Sequence, residues 1–336
     1  MEQVIDLKPK RKTAGQKLRE NFKKNASIMW FMLPAIALVL FFGYIPMFGI
    51  LFAFKVDLDP TNWLYDFFKQ GWTFDYLIMI FQNDDILLAL GNTLMISVTR
   101  LIVCFPMSII FAILLSEIKK PWLAKIILII MCLPNFLSWP VTIGIWNNLL
   151  HQEHGLINNI ISSFGGERID FYVVAQDGEL AFTPFKILSV FLSLWKGLGW
   201  SSIFFYSAIM SIDKEYYEAA TIDGASKVQK IWYLTIPGIM PVIALQLVMN
   251  ITYILDAGFD QTYSMLMILN PNGRYTELIL GTLIFDLAKG DTSLLPAGVS
   301  PLPLAVATSI VNGLLALFLM LFGNWFVKKR LGSSLW

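Results

Sequence analysis

Long apolar runs are the feature that most constrains the fold of this 336-residue chain. The first run, residues 28–54, contains no charged residue and is longer than the roughly 20 residues that a helix needs to cross a bilayer. Comparable runs follow at about 87–115, 126–149, 187–212, 239–266 and 302–327. Because such runs satisfy their backbone polar groups in a membrane only as helices, the chain is predicted to be an all-α polytopic membrane protein with six transmembrane helices.

Composition supports the same class of protein. Apolar residues make up 56% of the chain and charged residues 15%, whereas soluble domains contain about 45–50% and about 25%. The mean hydropathy is +0.63. The chain is therefore predicted to reside in a membrane and not to form an ordinary soluble domain.

The charges between the apolar runs predict which side of the membrane each loop occupies. Residues 1–27 carry eight Lys and Arg against three acidic residues, and Lys328, Lys329 and Arg330 follow the last run. Residues 55–85 instead carry six Asp against two Lys. By the positive-inside rule, both termini are predicted to be cytoplasmic. The basic tail abuts a membrane span, which favours a role in topology over binding to nucleic acid, and no nucleic-acid partner is expected.

A polar stretch between the fourth and fifth runs, on the predicted cytoplasmic side, has the pattern of two short helices. Asp213 suits a helix N-cap, and Ala219 and Ala220 are strong helix formers. Gly224 suits the left-handed position that ends a helix, and Pro237 disfavours helical geometry at the residue before it. The stretch is therefore predicted to form an elbow whose small residues allow another protein to approach closely.

These residues resemble the EAA loop of ABC importer permeases. The family pattern is Glu-Ala-Ala, three residues, Gly, nine residues and then Ile-x-Leu-Pro. Here Glu218-Ala219-Ala220 is followed by Gly224 at that spacing. Leu234 and Ile236 stand where the family pattern has Ile and Leu, so the order of the two aliphatic residues is reversed. The neighbouring residues are similar to the carbohydrate-uptake branch, the maltose- and polysaccharide-type permeases. The resemblance implies that residues 213–238 dock into an ATPase subunit through Tyr217, Glu218, Ala219, Ala220, Asp223, Gly224 and Pro237.

The resemblance covers about residues 29–336 and implies the type I ABC importer permease fold in a bacterial cell membrane. It divides the chain into four segments: a basic cytoplasmic tail (1–27), a first transmembrane helix with an outer loop (28–85), a permease core that contains the EAA loop (86–327) and a second cytoplasmic tail (328–336). The implied partners are a second permease, usually a different chain, two ABC ATPases and an extracytoplasmic sugar-binding protein. The implied substrate is a carbohydrate, with a lean towards oligo- and polysaccharides.

No nucleotide-binding or catalytic motif occurs in the sequence. Because the chain lacks G-x-x-x-x-G-K-[ST], ATP and magnesium are expected on the partner ATPase, and this chain is expected to be neither an enzyme nor a cofactor carrier. The two histidines, His151 and His154, have no matching ligand cluster, so no metal site is expected. Cys104 and Cys132 lie inside apolar runs and are predicted to be free thiols.

Polar side chains within the apolar runs predict a hydrophilic path through the membrane. Amides, hydroxyls and indoles can bind sugar hydroxyls and stack on sugar rings. The same side chains also form hydrogen bonds between helices, and that alternative stays open for each of them. The predicted pathway residues are Asn135, Trp139, Trp146, Trp195, Asn250, Tyr253, Asp256 and Asn312. Asn250, Tyr253 and Ala257 are predicted to share one face of the fifth helix.

Three charges within the runs require a role, because a charge at the centre of a membrane helix costs about 2.5–3.5 kcal/mol on insertion scales. Arg100 is expected to pair with a carboxylate or with carbonyl groups. Asp256 is either a pathway or gate residue or the ion partner of Arg100. Lys196 is expected to play a structural role near a helix end, with contact to a ligand as the alternative. Buried charges also leave open an ion-coupled secondary transporter that works without an ATPase, although no inverted repeat is evident.

Two turns are predicted on the outer side. Residues 171–183 have the pattern of a small hairpin around Asp177-Gly178, which is a candidate contact for an external binding protein. Residues 270–300 are predicted to be a second outer loop with a turn at Asn270-Pro271-Asn272-Gly273.

Overall fold

The computed structural model describes residue 15 and residues 25–58, 62–175, 179–269, 276–296 and 298–331. Within these residues there are no strands, and an isolated antiparallel bridge joins Lys55 to Trp72. The prediction of an all-α protein is confirmed. The chain divides into two compact units, residues 1–51 and 52–336.

Helices account for most of the described chain. In chain order they are α1 (Ala26–Val39), α2 (Trp63–Lys69), α3 (Asp75–Met79), α4 (Asp84–Ser116), α5 (Pro121–Cys132), α6 (Trp139–Leu150), α7 (Leu156–Ser163), α8 (Pro184–Met210), α9 (Lys214–Ile222), α10 (Lys227–Lys230), α11 (Ile236–Gly238), α12 (Met240–Thr252), α13 (Phe259–Ile268), α14 (Leu280–Ala288) and α15 (Pro301–Leu331). Two π-helices, Leu40–Tyr44 and Ile231–Thr235, and two 3-10 helices, Ile45–Phe54 and Leu133–Phe136, continue neighbouring helices.

Four helices in the described ranges are long and apolar enough to cross a membrane, and the number rises to six if each of two bent pairs is one span. The straight candidates are Trp30–Phe54, α4, α8 and residues Pro301–Lys329 of α15. The bent candidates are Pro121–Phe136 with Trp139–Leu150, at 102°, and Lys227–Gly238 with Met240–Thr252, at 64°. All of these candidates overlap the apolar runs of the sequence, so the chain is a multi-pass membrane protein.

Prolines account for the break that was predicted in the third run. Pro134 lies in the 3-10 helix that follows α5, and it cannot donate a backbone hydrogen bond. Leu137 and Ser138 are extended, with ψ angles of 142° and 156°, before α6 begins. The chain therefore turns sharply within the third run, and backbone carbonyls at the turn lack helical partners.

The prediction of one continuous helix over 239–266 is wrong. Helix α12 ends at Thr252, residues 253–258 are not helical, and α13 begins at Phe259. Ala257 and Gly258 have positive φ angles of 46° and 68°, which is a left-handed conformation that a helix cannot contain. Asn250, Tyr253 and Ala257 therefore do not share one helical face.

The hydrophobic core of the second unit forms where α4, α6, α8, α13, α14 and α15 meet. Ile143, Leu192, Met265 and Leu304 are each fully buried in it. Helix α14 also contributes Leu283, although residues 270–300 were predicted to be a loop. The predicted turn at residues 270–273 lies outside the described residues.

The predicted hairpin at residues 171–183 is wrong for its described part, because residues 171–175 and 179–183 form no strand. Its backbone groups bind elsewhere: the Ala175 amide donates to the Glu277 carboxylate at 3.0 Å, and Val173 accepts a hydrogen bond from the Phe185 amide. The proposed turn residues, Asp177 and Gly178, lie outside the described residues. The Glu277 carboxylate, from a distant part of the chain, therefore binds a backbone amide that a hairpin ladder would use.

Candidate functional site

Residues 213–238, which we name the elbow, begin with a well-capped helix. The Asp213 carboxylate accepts a hydrogen bond from the Glu215 amide at 3.1 Å, and α9 follows. At the other end, the Ala225 amide donates to the Ala220 carbonyl at 2.9 Å across Gly224, whose φ angle is +79°. This is the left-handed helix end that the sequence predicted.

The second arm of the elbow starts with a capping box. The Gln229 amide donates to the Ser226 hydroxyl, and the Ser226 amide donates to the Gln229 side chain. Helix α10 then passes through the π-helix Ile231–Thr235 to Pro237, which lies in α11. The two short helices predicted on either side of Gly224 are thus present. The predicted loss of helical geometry before Pro237 is wrong, because Ile236 has helical φ and ψ angles of −61° and −48° and Pro237 lies at the start of α11. The role of the elbow in docking stays a prediction.

Hydrogen bonds brace the two arms of the elbow against each other. The Tyr217 hydroxyl lies 2.9 Å from the Thr235 hydroxyl, and Lys230 Nζ donates to the Thr221 hydroxyl at 2.7 Å. A shallow cavity of about 300 Å³ lies between the arms. Its lining comprises Ala220, Asp223, Gly224, Ala225, Gln229, Lys230, Tyr233 and Leu234.

The residues that the EAA resemblance singled out lie mostly on the surface. Glu218, Ala219, Asp223, Gly224 and Pro237 are exposed, and Tyr217 and Ala220 are half-buried. A Cβ atom added to Gly224 would meet no heavy atom within 4 Å. Glycine is therefore required at this position by the backbone conformation, and the space beside it is open to another protein.

A second cavity, of about 270 Å³, lies between α4, α8 and the non-helical residues 253–258. Its polar lining comprises Ser97, Arg100, Ser108, Ser193, Ser201, Asn250, Tyr253 and Asp256. We name this space the membrane cavity. It brings together three of the predicted pathway residues, Asn250, Tyr253 and Asp256.

The other five predicted pathway residues lie away from the membrane cavity. Trp146 packs edge-to-face against Trp195, with ring centroids 5.5 Å apart, and Trp139 lies at the start of α6. The backbone carbonyl of Asn135 accepts a hydrogen bond from Lys196, and the Asn312 side-chain oxygen is buried without a hydrogen-bond partner among the described residues. Their role in the pathway stays a prediction.

Arg100 binds carbonyl and neutral side-chain acceptors and does not form an ion pair with Asp256. Its Nη1 atom donates to the Ala257 carbonyl at 2.6 Å. Its Nη2 atom donates to the Ser189 hydroxyl at 2.8 Å and to the Gln261 side-chain oxygen at 2.9 Å. The prediction of carbonyl partners is thus confirmed, whereas the alternative of an Arg100–Asp256 pair is wrong. The Asp256 carboxylate is exposed towards the membrane cavity.

Lys196 lies in the middle of α8, so the expectation that it sits near a helix end is wrong. Its side chain is buried, and Nζ donates to the carbonyls of Asn135 and Leu137 at 2.9 and 2.6 Å. The Trp139 ring centroid lies 5.1 Å from the same nitrogen. Lys196 therefore binds backbone carbonyls at the break in the third run. This is the structural role that the sequence favoured.

Sequence reasoning missed the hydroxyl-bearing residues of the membrane cavity. Ser193, Gly197 and Ser201 recur every four residues along α8, and all three line the cavity. Cys104 and Ser108 have the same spacing on α4. A stripe of small residues at helical spacing on two neighbouring membrane helices was therefore the signal that could have located this space.

Residues 104–331 match the family described as the binding-protein-dependent transport system inner membrane component. The match includes both the elbow and most of the membrane cavity. The chain belongs to this family. The identification made from the EAA spacing is therefore confirmed.

Two relatives of this permease come from Bacillus subtilis (strain 168). The chain is 32% identical over 329 residues to the polygalacturonan/rhamnogalacturonan transport system permease protein YteP, covering 97% of this chain and 94% of YteP. It is 35% identical over 249 residues to Protein LplB, covering 74% of this chain and 75% of LplB.

A solved structure has the same fold. The structure is that of a bacterial alginate ABC transporter in complex with an alginate pentasaccharide-bound periplasmic protein. The permease superimposes on one of its chains with a TM-score of 0.78 at 29% identity, covering 95% of this chain and all of that chain. The fold is therefore that of an ABC importer permease.

Proposed function

We propose that this permease forms the translocation pathway of an ATP-driven importer for an oligo- or polysaccharide in a bacterial cell membrane. The observation that carries the proposal is the position of the elbow: it joins α8, which lines the membrane cavity, to α12, which ends at that cavity. The proposal includes six spans with both termini in the cytoplasm. Counting each bent pair as one span supports the number of spans, and the distribution of basic residues supports the orientation.

The elbow is the surface that we assign to ATPase docking. Its exposed small residues, Ala219 and Gly224, allow close approach, and the exposed Glu218 carboxylate supplies a polar contact. Closure of two ATPases on ATP would push the elbows together and rock the attached helices as rigid bodies. ATP and magnesium belong to those ATPases, and we propose that this chain itself binds no cofactor.

The proposed complex contains a second permease, which is a different chain, two ABC ATPases and an extracytoplasmic sugar-binding protein. The alginate transporter supports this last partner, because its structure contains a periplasmic protein with a bound pentasaccharide. The name of YteP, with the alginate structure, supports a polysaccharide-derived substrate. No nucleic-acid partner is proposed.

The membrane cavity suits a sugar because hydroxyls, an amide and a carboxylate line it. These groups can donate and accept hydrogen bonds with sugar hydroxyls. Its volume of about 270 Å³ is slightly below the range of about 300–1,000 Å³ that is usual for ligand pockets. We therefore propose that only part of an oligosaccharide occupies this cavity at one time.

Gentle detergent extraction of a tagged chain from its host, followed by identification of the co-purifying proteins, tests the proposal. An ATPase that carries a P-loop is expected to co-purify with the wild type. Gly224→Val is expected to reduce its recovery at least tenfold and to abolish sugar uptake, since the branched side chain strains the left-handed backbone and blocks the open surface. Glu218→Lys, which reverses the polar contact, is expected to abolish uptake as well.

Gly165→Val is the matched control. Gly165 is also exposed, has a φ angle of +81° and has no heavy atom within 4 Å of an added Cβ atom, but it lies outside the elbow. Its substitution is expected to cause similar backbone strain and to leave the ATPase bound. Equal loss of the ATPase in both variants would contradict docking at the elbow, and so would unchanged uptake in Gly224→Val or Glu218→Lys.

A further inference from the structure

Helices that break inside a membrane leave backbone carbonyls without a helical partner. This chain has two such places next to long helices: residues 137–138 between the two arms of the third run, and residues 253–258 between α12 and α13. At each place, a cation from a neighbouring unbroken helix binds the freed carbonyls.

The first break is held by Lys196 of α8. Its ammonium group lies within hydrogen-bond distance of the carbonyls of Asn135 and Leu137, at 2.9 and 2.6 Å, and only 8% of the residue is exposed. One turn further along α8, a Cβ atom added to Gly199 would lie 2.3 Å from the carbonyl group of Met131. The lysine supplies the donors, and the glycine allows α8 to come close enough for them to reach.

The second break is held by Arg100 of α4. Its guanidinium group donates to the Ala257 carbonyl at 2.6 Å, where the backbone has the positive φ angle of 46°. A Cβ atom added to Gly258 would lie 2.5 Å from Arg100 Nη1. Here too, one cation provides the hydrogen bond and one glycine provides the space.

Arg100 belongs to α4 and Lys196 to α8, and both helices line the membrane cavity. Helices α4 and α8 pack together along their length. Gln261 of α13 accepts a hydrogen bond from Arg100 and donates to the Ser189 carbonyl of α8 at 2.7 Å. Among the described residues, no carboxylate lies within 4.0 Å of the charged nitrogens of Arg100 or Lys196. Their partners are the carbonyls of the breaks and neutral side chains.

We infer that Arg100 and Lys196 are positioning residues that fasten the two broken segments to the unbroken pair α4–α8. Each broken segment then moves as one body with that pair when the elbow moves. This inference deepens the proposed transport function and rests on it for the coupling of sugar movement to ATP hydrolysis.

Hydrogen–deuterium exchange on the purified complex tests the positioning itself, without transport. Lys196→Met is expected to raise the amide exchange rate of residues 135–139 at least tenfold and to leave residues 254–258 unchanged. Arg100→Met is expected to raise the amide exchange rate of residues 254–258 at least tenfold and to leave residues 135–139 unchanged. Lys289→Met, which removes an exposed cation 4.1 Å from the Phe285 ring centroid, serves as the control and is expected to change neither break.

The ratio of sugar imported to ATP hydrolysed, measured in vesicles with the assembled importer, tests the functional consequence. Lys196→Met and Arg100→Met are each expected to lower this ratio at least fivefold, because ATP-driven movement no longer carries the broken segment with it. Lys196→Arg is expected to restore most of the ratio. A residue with only a structural role would reduce the amount of assembled complex and leave the ratio per complex unchanged.

Unchanged exchange at the breaks, or an unchanged ratio in assembled complexes, would overturn the inference. If the methionine variants do not assemble, Lys196→Gln and Arg100→Gln, which stay polar but remove the charged donor group, replace them. Each is expected to raise exchange at its own break and to lower the ratio, and unchanged values in both measurements would overturn the inference. If the wild type imports no sugar, the proposed function fails. The exchange measurements then decide the positioning role alone.

Discussion

At the scale of single residues, the partners of Arg100 determine what Asp256 can do. The guanidinium group is engaged by the Ala257 carbonyl, the Ser189 hydroxyl and Gln261. The Asp256 carboxylate, one residue before Ala257, is therefore not held in an ion pair and is exposed at the membrane cavity. We expect it to accept hydrogen bonds from sugar hydroxyls.

Asp256→Asn is expected to raise the KM of sugar uptake about fivefold to tenfold. A hydrogen bond to a charged group contributes about 1.5–3 kcal/mol, and the neutral amide oxygen keeps a bond of about 0.5–1.5 kcal/mol. Initial uptake rates over a range of sugar concentrations measure the change. Asp260→Asn is the control, since Asp260 is also exposed but does not line the cavity. An equal KM for wild type and Asp256→Asn would exclude a sugar contact at this carboxylate.

At the scale of elements, a buried ion pair connects segments that are distant in sequence. Lys186, in the first turn of α8, lies 3.1 Å from Glu277, and both side chains are fully buried. The other Glu277 oxygen accepts hydrogen bonds from the Ala175 amide and the Thr183 hydroxyl. The carboxylate thus ties the segment before α8 to the segment that leads into α14.

Lys186→Met is expected to destabilise the fold by about 3–5 kcal/mol, since it leaves the Glu277 carboxylate buried without its cation. The midpoint of thermal unfolding in detergent should fall accordingly. Lys227→Met is the matched control, because Lys227 lies 3.2 Å from Glu117 with exposed side chains, and such surface pairs contribute about 0–1 kcal/mol. Equal midpoints for the two variants would contradict the importance of the buried pair.

At the scale of the whole molecule, the elbow and the membrane cavity are connected through continuous helices. Helix α8 runs from the buried Lys186 past the cavity-lining residues to the end that precedes the elbow. At the last residue of the elbow, an added Cβ atom on Gly238 would lie 2.7 Å from the side chain of Ile212, which precedes the elbow, so the two ends of the elbow lie close together. This arrangement suits the transmission of ATPase movement to the cavity.

Sugar uptake in vesicles is expected to require ATP and the ATPase subunits and to persist when ionophores collapse the ion gradients. The reason is that the chain belongs to the binding-protein-dependent transport family and has the fold of an ABC transporter permease, for which we propose ATP as the energy source. Uptake is measured with each ionophore and, as the control, with ATP omitted. Uptake by the lone chain that follows an ion gradient would support the secondary transporter instead.

The sequence by itself determined the features that depend on neighbouring residues. Apolar runs located the candidate spans, because every helix in a membrane needs a continuous apolar surface. The elbow followed from Asp213 and Gly224, whose effects on the backbone are local. The break near Pro134 was predicted for the same reason. Pro237 did not have its predicted effect, because Ile236 before it keeps a helical conformation.

Only the tertiary structure decided which distant groups meet. Arg100 finds its carbonyl 157 residues away, and Glu277 binds an amide 102 residues away. Such contacts occur just after the end of α12 at Thr252 and in the described part of 171–183, where local patterns predicted a continuous helix and a hairpin. A buried polar group binds whichever partner packing brings within reach, and no periodicity along the chain encodes that choice.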